Sequence, residues 1–284
     1  MGTRRHHPHG SRVSGAGIRV RQAAGDLLFR IAGRPPAAAG TLTILMYHAI
    51  TATRMDDDGQ MSVSAERFAR QMDELAATGV EVVDLASGVR ALASAPDAPA
   101  SAAIVFDDGF IGVHDHAAPL LQRRGWPATA FVTTAWVGAS TMPLAEARLG
   151  RPLSWTEIAA LRDAGFTIGS HTHTHPTLAQ MNEASIHDEL RESSARLADR
   201  LGERPRTFAY PFGAFGNFND RTRQALMDDG FSVACTTVFG RNTGATDPLT
   251  LKRVRVSWCD GDGEIRRLLA GSYDWYARVQ RWQS

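Results

Sequence analysis

The chain has 284 residues, 43% of them hydrophobic, and a formal net charge of +1. This length and apolar fraction suffice for one large domain, and the near-neutral charge gives no reason to expect nucleic acid as a partner. No segment reaches the roughly 18 consecutive apolar residues of a membrane span, and two cysteines in the whole chain exclude a disulfide framework.

Residues 1–40 form a basic N-terminal extension, with seven arginines and a single acid, Asp26. Residues 1–17 lack an apolar core and predict disorder, and no apolar stretch follows Arg4-Arg5 as an export signal requires. Over Ile18–Ile31, apolar residues recur near helical spacing with arginines between them. This pattern predicts a helix that lies either on an anionic membrane surface or on the body of the protein. We therefore expect a cytoplasmic protein, with this extension as the candidate for peripheral membrane contact.

Beyond residue 41, apolar runs typical of strands alternate with segments of helical periodicity. This repeated order predicts a parallel sheet with right-handed crossovers, in one domain of the α/β class. Ser64 and Ser154 are predicted N-caps, and Ser154-Trp155-Thr156-Glu157 has the pattern of a capping box. The predicted strands are 42–47, 80–85, 102–106, 128–133, 166–169, 207–210, 231–236 and 251–256, and the predicted helices lie near 64–75, 114–124, 154–165, 185–201 and 220–228.

Two polar motifs directly follow predicted strands. They are Phe106-Asp107-Asp108-Gly109 and His171-Thr172-His173-Thr174-His175-Pro176. Side chains at the carboxyl ends of parallel strands converge on one crevice. Two imidazoles and one carboxylate there supply three ligands for a divalent metal, and the second aspartate can take a proton from water. Either motif alone is common, since Asp-Asp-Gly is an ordinary turn, but together they predict a metal-dependent hydrolase.

The same two motifs resemble those of a known family. Val105-Phe106-Asp107-Asp108-Gly109 is similar to the first motif of the polysaccharide deacetylases with a NodB homology domain (carbohydrate esterase family four), and His171–Pro176 is similar to the second. The resemblance runs from about Leu42 to about Val256. It implies a distorted (β/α)7-type barrel, with residues 41–284 as a single catalytic domain that includes C-terminal helices.

The resemblance also implies roles for individual residues. The first aspartate, Asp107, would be the catalytic base, and Asp108, His171 and His175 would hold the metal. Ligand softness favours zinc, although cobalt, nickel or iron also suit two imidazoles and a carboxylate. The implied reaction is removal of an N-acetyl group from a saccharide, which would be the partner of this site.

The chain departs from the most familiar family pattern at two positions. Ala209 stands where those members carry the arginine that orients the base, and no histidine follows His187 to act as a C-terminal acid. A subgroup resembling the poly-N-acetylglucosamine deacetylases begins with a Met-Tyr-His element, present here as Met46-Tyr47-His48. This resemblance implies His48 as the catalytic acid, and the alternative is a satisfied core histidine.

The late arginine of that subgroup resembles Arg253, which would replace the missing base-orienting residue. Arg255 shares the same strand face by period-two alternation and remains an alternative. The subgroup also shares the segment Tyr210-Pro211-Phe212-Gly213, whose first three residues are predicted to bind substrate, with the backbone N–H of Phe212 at the oxyanion.

Other side chains have two interpretations. Four aromatic residues are candidates for sugar stacking and equally for the core: Tyr210, Phe212, Trp136 and Trp155. His173 is predicted to lie behind the ligands or on the surface, and His114 and His116 to be solvated, although His116 could approach the rim. The acidic loop at Asp56-Asp57-Asp58 could hold calcium but is expected to be solvated.

Three functions compete on this evidence. The first is an N-deacetylase acting on a polysaccharide, an oligosaccharide or a glycolipid precursor. The second is an esterase or deformylase acting on another acyl sugar, including a lipid-linked one. The third is a catalytically idle carbohydrate-binding protein, against which the complete set Asp107, Asp108, His171 and His175 argues.

Overall fold

A computed structural model describes residues 15–33, 35–55, 61–142, 149–257 and 260–283. The predicted disorder of the first residues falls largely outside these ranges, as do the acidic loop at Asp56-Asp57-Asp58 and Cys259. Cys235 is buried with a free thiol.

Seven parallel strands close into a barrel. The sequence pattern predicted the parallel pairing, and the family resemblance implied the barrel. In chain order the strands are β1 (Leu42–Tyr47), β2 (Ala49–Thr51), β3 (Ser62–Ser64), β4 (Glu81–Val82), β5 (Ser101–Phe106), β6 (Ala128–Val132), β7 (Phe166–Ser170), β8 (Thr207–Ala209), β9 (Val233–Phe239) and β10 (Leu251–Arg255). Around the ring the order is β1, β10, β9, β8, β7, β6 and β5, and β5 pairs again with β1 along 42–47 and 101–106.

Three strands lie outside the ring. The short β4 pairs with the beginning of β5, while β6 pairs with its end. Strands β2 and β3 form a separate parallel pair directly after β1. The helices are α1 (Gly15–Ile31), α2 (Ala65–Ala76), α3 (Leu85–Ser94), α4 (Ala118–Arg123), α5 (Trp155–Asp163), α6 (Glu183–Leu201), α7 (Asp220–Asp228), α8 (Glu264–Leu269) and α9 (Tyr276–Gln283), with a π-helical turn at Val113–Ala117 and a 3-10 turn at Leu178–Gln180.

Alternation along the strands divides the core into two layers. One cluster joins inward side chains from most strands of the ring, including Ile44, Val105 and Leu251. The alternate residues of the same strands, such as Leu45 and Phe106, pack outward against the helices. Because the side-chain period of a strand is two, this pattern aims every second residue of β1, β5 and β10 at the barrel axis.

The predicted strand 80–85 is wrong beyond Val82, where the chain enters helix α3. The Asp84 carboxylate accepts a hydrogen bond from the Ser87 amide at 2.9 Å and so caps the new helix. Leu85, Val89 and Leu92 then lie on one helical face and pack with the inner cluster of the barrel. The strand is therefore shorter than predicted, and a helix that the sequence pattern did not predict follows it.

Both predicted N-caps are present. The Ser64 side chain accepts from the Arg67 amide at the start of α2. At α5, Ser154 and Glu157 form a reciprocal capping box, which satisfies backbone donors that the helix itself leaves unpaired.

Helix α1 packs against the C-terminal helices. The guanidinium of Arg21 is buried and lies 4.8 Å from the ring centre of Phe239 and 5.4 Å from that of Tyr273. A side chain at Gly25 would clash, because its Cβ would lie 1.9 Å from the Tyr273 ring. One face of the predicted N-terminal helix is thus docked on the body of the protein.

Candidate active site

Sharp turns after strands β5 and β7 bring the motif residues to one end of the barrel. Asp108 and Gly109 both have positive φ, 70° and 76°, directly after β5. In the histidine motif, Thr172 and His175 have φ of 66° and 65°. The Thr172 hydroxyl holds this second turn by accepting a hydrogen bond from the His175 amide at 2.9 Å.

Backbone strain is concentrated here. Among the described residues other than glycine, four have positive φ, and all belong to the predicted site: Asp108, Thr172, His175 and Phe212. A left-handed conformation is unfavourable for residues with a Cβ, and it persists only where the surroundings enforce it. The strain therefore marks a region whose geometry is fixed by more than local preference.

Asp108, His171 and His175 form a compact ligand set. Oδ1 of Asp108 lies 3.3 Å from Nε2 of His171 and 3.5 Å from Nε2 of His175. One potential ligand atom from each residue lies within 4.8 Å of the others, and all three side chains are almost fully buried. Burying a carboxylate and two imidazoles with so few other polar partners costs free energy unless the three groups share a cation.

The protonation of this set also suits a metal. Nδ1 of His171 lies 2.7 Å from the carbonyl oxygen of Ala209 and donates to it, which leaves a lone pair on Nε2. Burial lowers the pKa of His175 to about 4, with a further contribution from His171, so its imidazole is neutral at pH 7. Burial raises the pKa of Asp108, but hydrogen bonding to His171 and the charge of His175 outweigh it and lower the pKa. Burial lowers the pKa of His171, but the hydrogen bond to Asp108 and the charges of Asp107 and Asp108 outweigh it and raise the pKa. A bound cation would displace the proton that this carboxylate attracts, and two imidazoles with one carboxylate are a fitting set for a divalent metal.

Asp107 is held by a buried arginine rather than by the ligand set. Nη1 of Arg253 donates to Oδ1 of Asp107 at 2.7 Å, and Nε donates to the Thr236 carbonyl at 2.6 Å. Arg253 is 0% exposed. Of the two candidate arginines, Arg253 makes this contact. Arg255 is the next inward-facing residue along β10 and is half-buried.

The charge of Arg253 controls the ionisation of Asp107. Burial raises the pKa of the Asp107 carboxyl, but Arg253, followed by His171 and His48, outweighs it and lowers the pKa below its ordinary value. The carboxylate is therefore ionised at neutral pH, as a proton acceptor must be. Arg253 thereby makes a contact with this aspartate that the methyl side chain of Ala209 cannot make.

His48 lies directly beyond β1 and beside Asp107. Its Nε2 is 4.0 Å from Oδ2 of Asp107, and its Nδ1 is buried without a hydrogen-bond partner in the described part of the chain. Burial lowers the pKa of His48, while the carboxylates of Asp108 and Asp107 oppose the shift. A core histidine with both nitrogens satisfied does not have these contacts.

The comparisons agree with this geometry. The family model described as polysaccharide deacetylase matches residues 94–234, a range that contains both motifs. The deacetylase PplD of Streptococcus pyogenes, solved in complex with acetate, is 25% identical, with a TM-score of 0.66 over 78% of this chain and 94% of its own. The chain belongs to the polysaccharide deacetylase family.

Two further members extend the similarity. IcaB from Ammonifex degensii is 23% identical, with a TM-score of 0.66 over 84% of this chain and 100% of its own. The poly-beta-1,6-N-acetyl-D-glucosamine N-deacetylase of Staphylococcus epidermidis is 24% identical over 205 residues, which are 69% of this chain and 68% of that protein. The family resemblance and the distorted (β/α)7 barrel are both confirmed.

In this family member, two aromatic rings flank His175. The Phe212 ring lies edge-on at 4.8 Å between ring centres, and the Trp136 ring lies at 5.0 Å. Phe212 is 38% exposed, and its amide donates no hydrogen bond within the described ranges. Thr237 fixes the segment by donating from its hydroxyl to the Phe212 carbonyl at 2.7 Å.

The structure does not bring every predicted substrate residue to the rim. The Tyr210 ring is buried against Phe208 and Phe218, and its hydroxyl donates to the Leu249 carbonyl at 3.0 Å. Pro211 joins this buried ring to the exposed Phe212. Trp155 begins α5 and packs on the outer core, away from the ligand set.

The remaining histidines lie outside the ligand set. Nδ1 of His173 contacts the Thr134 hydroxyl at 3.0 Å, so the middle histidine of the motif turns away from the other two. His114 contacts its neighbour Asp115, and His116 is half-buried in the π-helical turn.

Sequence reasoning missed Glu189 of α6. Its carboxylate accepts hydrogen bonds from the amides of His173 and Thr174 at 2.9 and 2.8 Å and so clamps the histidine turn. An acidic residue on a surface helix carries no local signal of this role, because its two partners precede it by 16 and 15 residues in the sequence.

Proposed function

We propose that this protein is a metal-dependent hydrolase that removes the N-acetyl group from an N-acetylated saccharide. One observation carries the proposal: the ligand set Asp108, His171 and His175 lies beside a second carboxylate, Asp107, that a buried arginine holds ionised. A metal site next to an independent base is the arrangement that metal-assisted hydrolysis requires. The acetate in the PplD complex supports the acyl group, because acetate is the product of deacetylation.

The metal would be a single divalent ion held by Asp108, His171 and His175. Two imidazole nitrogens and a carboxylate favour zinc, and they also suit cobalt, nickel or iron. When bound, such an ion polarises the acyl carbonyl and acidifies water. Lone pairs on the Nε2 atoms of both histidines are directed to one place, which supports this assignment.

Asp107 acts as the general base. Its Oδ1 accepts the hydrogen bond from Arg253, which leaves Oδ2 on the side of His48 to accept a proton from the attacking water. Arg253 is a positioning residue in this scheme. It fixes the carboxylate rotamer and keeps the group ionised in a site that excludes solvent.

His48 acts as the general acid. Protonation of the departing nitrogen is needed because an amine anion is a very poor leaving group. Burial lowers the pKa of His48, which makes the protonated imidazole a stronger acid, while the carboxylates of Asp108 and Asp107 oppose that shift. Only one of its nitrogens faces Asp107. The backbone N–H of Phe212 is free to donate to the oxygen that becomes negatively charged as the tetrahedral centre forms.

The substrate is a saccharide polymer, an oligosaccharide or a glycolipid precursor. The exposed ring of Phe212 supplies flat apolar surface of the kind on which sugar rings stack. Trp136 is buried in a core cluster and packs against His175 from behind, so it belongs to the core and not to the stacking surface. The Staphylococcus epidermidis relative, named for poly-beta-1,6-N-acetyl-D-glucosamine, supports an N-acetylglucosamine unit.

Release of acetate and of formate from a panel of N-acyl and O-acyl saccharides tests this function. Protein of measured metal content should release acetate from an N-acetylated saccharide, and Asp107→Asn protein with the same metal content should not. Release of formate or of O-linked acyl groups alone would favour the deformylase or esterase alternative. No turnover of any acyl saccharide by fully loaded protein would contradict the proposal.

A further inference from the structure

The outer side of α1 presents large aliphatic side chains to solvent. Val20, Leu27, Leu28 and Ile31 are between 46% and 74% exposed, and they are four of the seven large hydrophobic side chains exposed in the described residues. Their spacing places them on one side of the helix. We call these four residues the α1 face. An apolar face of this kind on a folded protein indicates a contact surface.

The α1 face is not the side of the helix that packs on the protein's own core. The side of α1 that docks on the body of the protein carries Arg21, Gln22 and Gly25. Gln22 donates to the Asp260 carboxylate at 2.8 Å, and Arg21 lies 3.8 Å from the same carboxylate. Because this side is fixed by charge and by close packing against Tyr273, the helix cannot roll to bury its aliphatic side chains.

An excess of positive charge lies near the α1 face. A cavity of about 600 Å³ lies beside the C-terminal end of α1 and is lined by Arg30, Arg266 and Arg267, by Asp26 and by apolar groups. Asp26 pairs with Arg30 and Arg267, so two positive charges remain in excess over this one acid. Arg266 is exposed, and its guanidinium has no ion pair in the part of the chain that the structure describes. In sequence, the residues before Asp26 include five arginines and no acid.

Helices that carry aliphatic side chains on one face with arginines beside them bind anionic lipid surfaces. We propose that the α1 face docks on a membrane that contains anionic phospholipids. Its aliphatic side chains enter the boundary between headgroups and acyl chains, and the arginines near the cavity contact lipid phosphates. A protein partner would be expected to match the aliphatic surface without requiring this excess of positive charge, so a lipid surface fits both features.

A contact through the α1 face does not depend on catalysis. Because it would be made by one face of a helix and by arginine side chains, it would be peripheral, reversible and sensitive to ionic strength. Within the described residues, no helix combines the length and apolar character needed to cross a bilayer.

Co-sedimentation with lipid vesicles tests the proposal. The full chain should bind vesicles of about two parts phosphatidylcholine to one part phosphatidylglycerol, and should bind pure phosphatidylcholine far more weakly. The double variant Leu27→Gln/Ile31→Gln should reduce binding about tenfold or more, since each side chain loses most of its transfer into the lipid boundary. Arg266→Gln should weaken binding to the anionic vesicles about fivefold and leave binding to phosphatidylcholine unchanged.

Met227→Gln on α7 is the matched control, because Met227 is also exposed but lies on another helix. It should bind as the unmodified chain does. Absence of vesicle binding by the unmodified chain, or equal binding by the double variant, would overturn the proposal. If vesicle binding is absent and sedimentation velocity shows self-association that the double variant loses, the α1 face is instead an interface between proteins.

Discussion

Two clusters of buried charge lie in different parts of the molecule, and their carboxylates respond in opposite ways. At the barrel mouth, Asp107 has its own cationic partner, Arg253, which outweighs burial and lowers the pKa of the aspartate. On the flank, Asp260 and Glu264 lie close together behind α1. There burial raises the pKa of Asp260 to about 6, and the neighbouring charge of Glu264 adds to the shift.

The difference teaches that burial alone does not decide the state of a carboxyl group. Both aspartates are almost inaccessible to solvent. A short, direct hydrogen bond from a guanidinium offsets the desolvation of Asp107. Arg21 lies 3.8 Å from Asp260 and also faces three aromatic rings, so it offsets less. The first cluster keeps a charged carboxylate at the mouth of the barrel, whereas the second joins α1 to the barrel.

The largest effect should come from removing a metal ligand at the mouth. His171→Ala or His175→Ala leaves two of three protein ligands, so bound metal and hydrolysis should both fall to background. Metal content by mass spectrometry and the rate of acetate release check this. His173→Ala is the matched control within the same motif and should keep its metal. If either ligand variant retains full occupancy and rate, the ligand assignment is wrong.

The two aspartates should separate into a base and a ligand. Asp107→Asn should keep the metal while kcat falls by a factor on the order of 10² to 10⁴, which is the usual contribution of a general base. Asp108→Asn should instead weaken metal binding. Metal titration of each variant beside its kcat measures the difference, and exchanged phenotypes would exchange the two roles.

His48→Gln should cost somewhat less. Metal content should stay intact, and kcat on an unactivated N-acetyl sugar should fall on the order of 10². The loss should shrink for an activated substrate, because its leaving group needs no proton. Comparison of kcat on the two substrates is the measurement. A wild-type rate on the unactivated sugar would remove His48 from the mechanism and leave His116 or His173 to be tested.

The smallest effect should come from the flank, and it concerns stability. The folded pKa of Asp260 lies above its unfolded value, so folded protein binds more protons between about pH 4 and pH 6 and loses stability as the pH rises through that window. Asp260→Asn removes this loss. Relative to the unmodified chain, the free energy of unfolding of the variant should therefore rise by about 1 to 3 kcal/mol from pH 4 to pH 7.

Urea unfolding at several pH values measures this change. Asp262→Asn is the control, because Asp262 lies in the same loop but is highly exposed and pairs with Arg67. Its stability should change with pH in parallel with that of the unmodified chain. A parallel profile for Asp260→Asn as well would show that the flank carboxyl is ionised throughout, like those at the mouth.

Much of the mouth could be predicted from sequence, because its polar residues directly follow apolar strands. Asp107, Asp108, His171 and His175 are readable in this way, since a strand end fixes both place and direction. The choice between Arg253 and Arg255 was not readable, because both have the same alternation and only the closed ring decides which one meets Asp107.

Elements whose partners are distant in sequence escaped prediction. Helix α3 was not predicted, and the predicted strand 80–85 reached its first residue, because a short aliphatic run satisfies either period. The Tyr210 ring could not be assigned to the core or the rim, since the packing of Phe218 against it depends on a separate loop. The flank cluster joins Arg21 to Asp260 across almost the whole chain, and no local pattern encodes such a pair.

Closure of the ring between β1 and both β5 and β10 has a consequence for the order of events in folding. The ion pair between Asp107 and Arg253 joins residues 146 positions apart, and His48 precedes both. Contacts this distant form late, since the entropy of closing a long loop must first be overcome. During refolding, helical circular dichroism should recover before any hydrolysis does. The rate at which activity returns would then report when β10 pairs with β1.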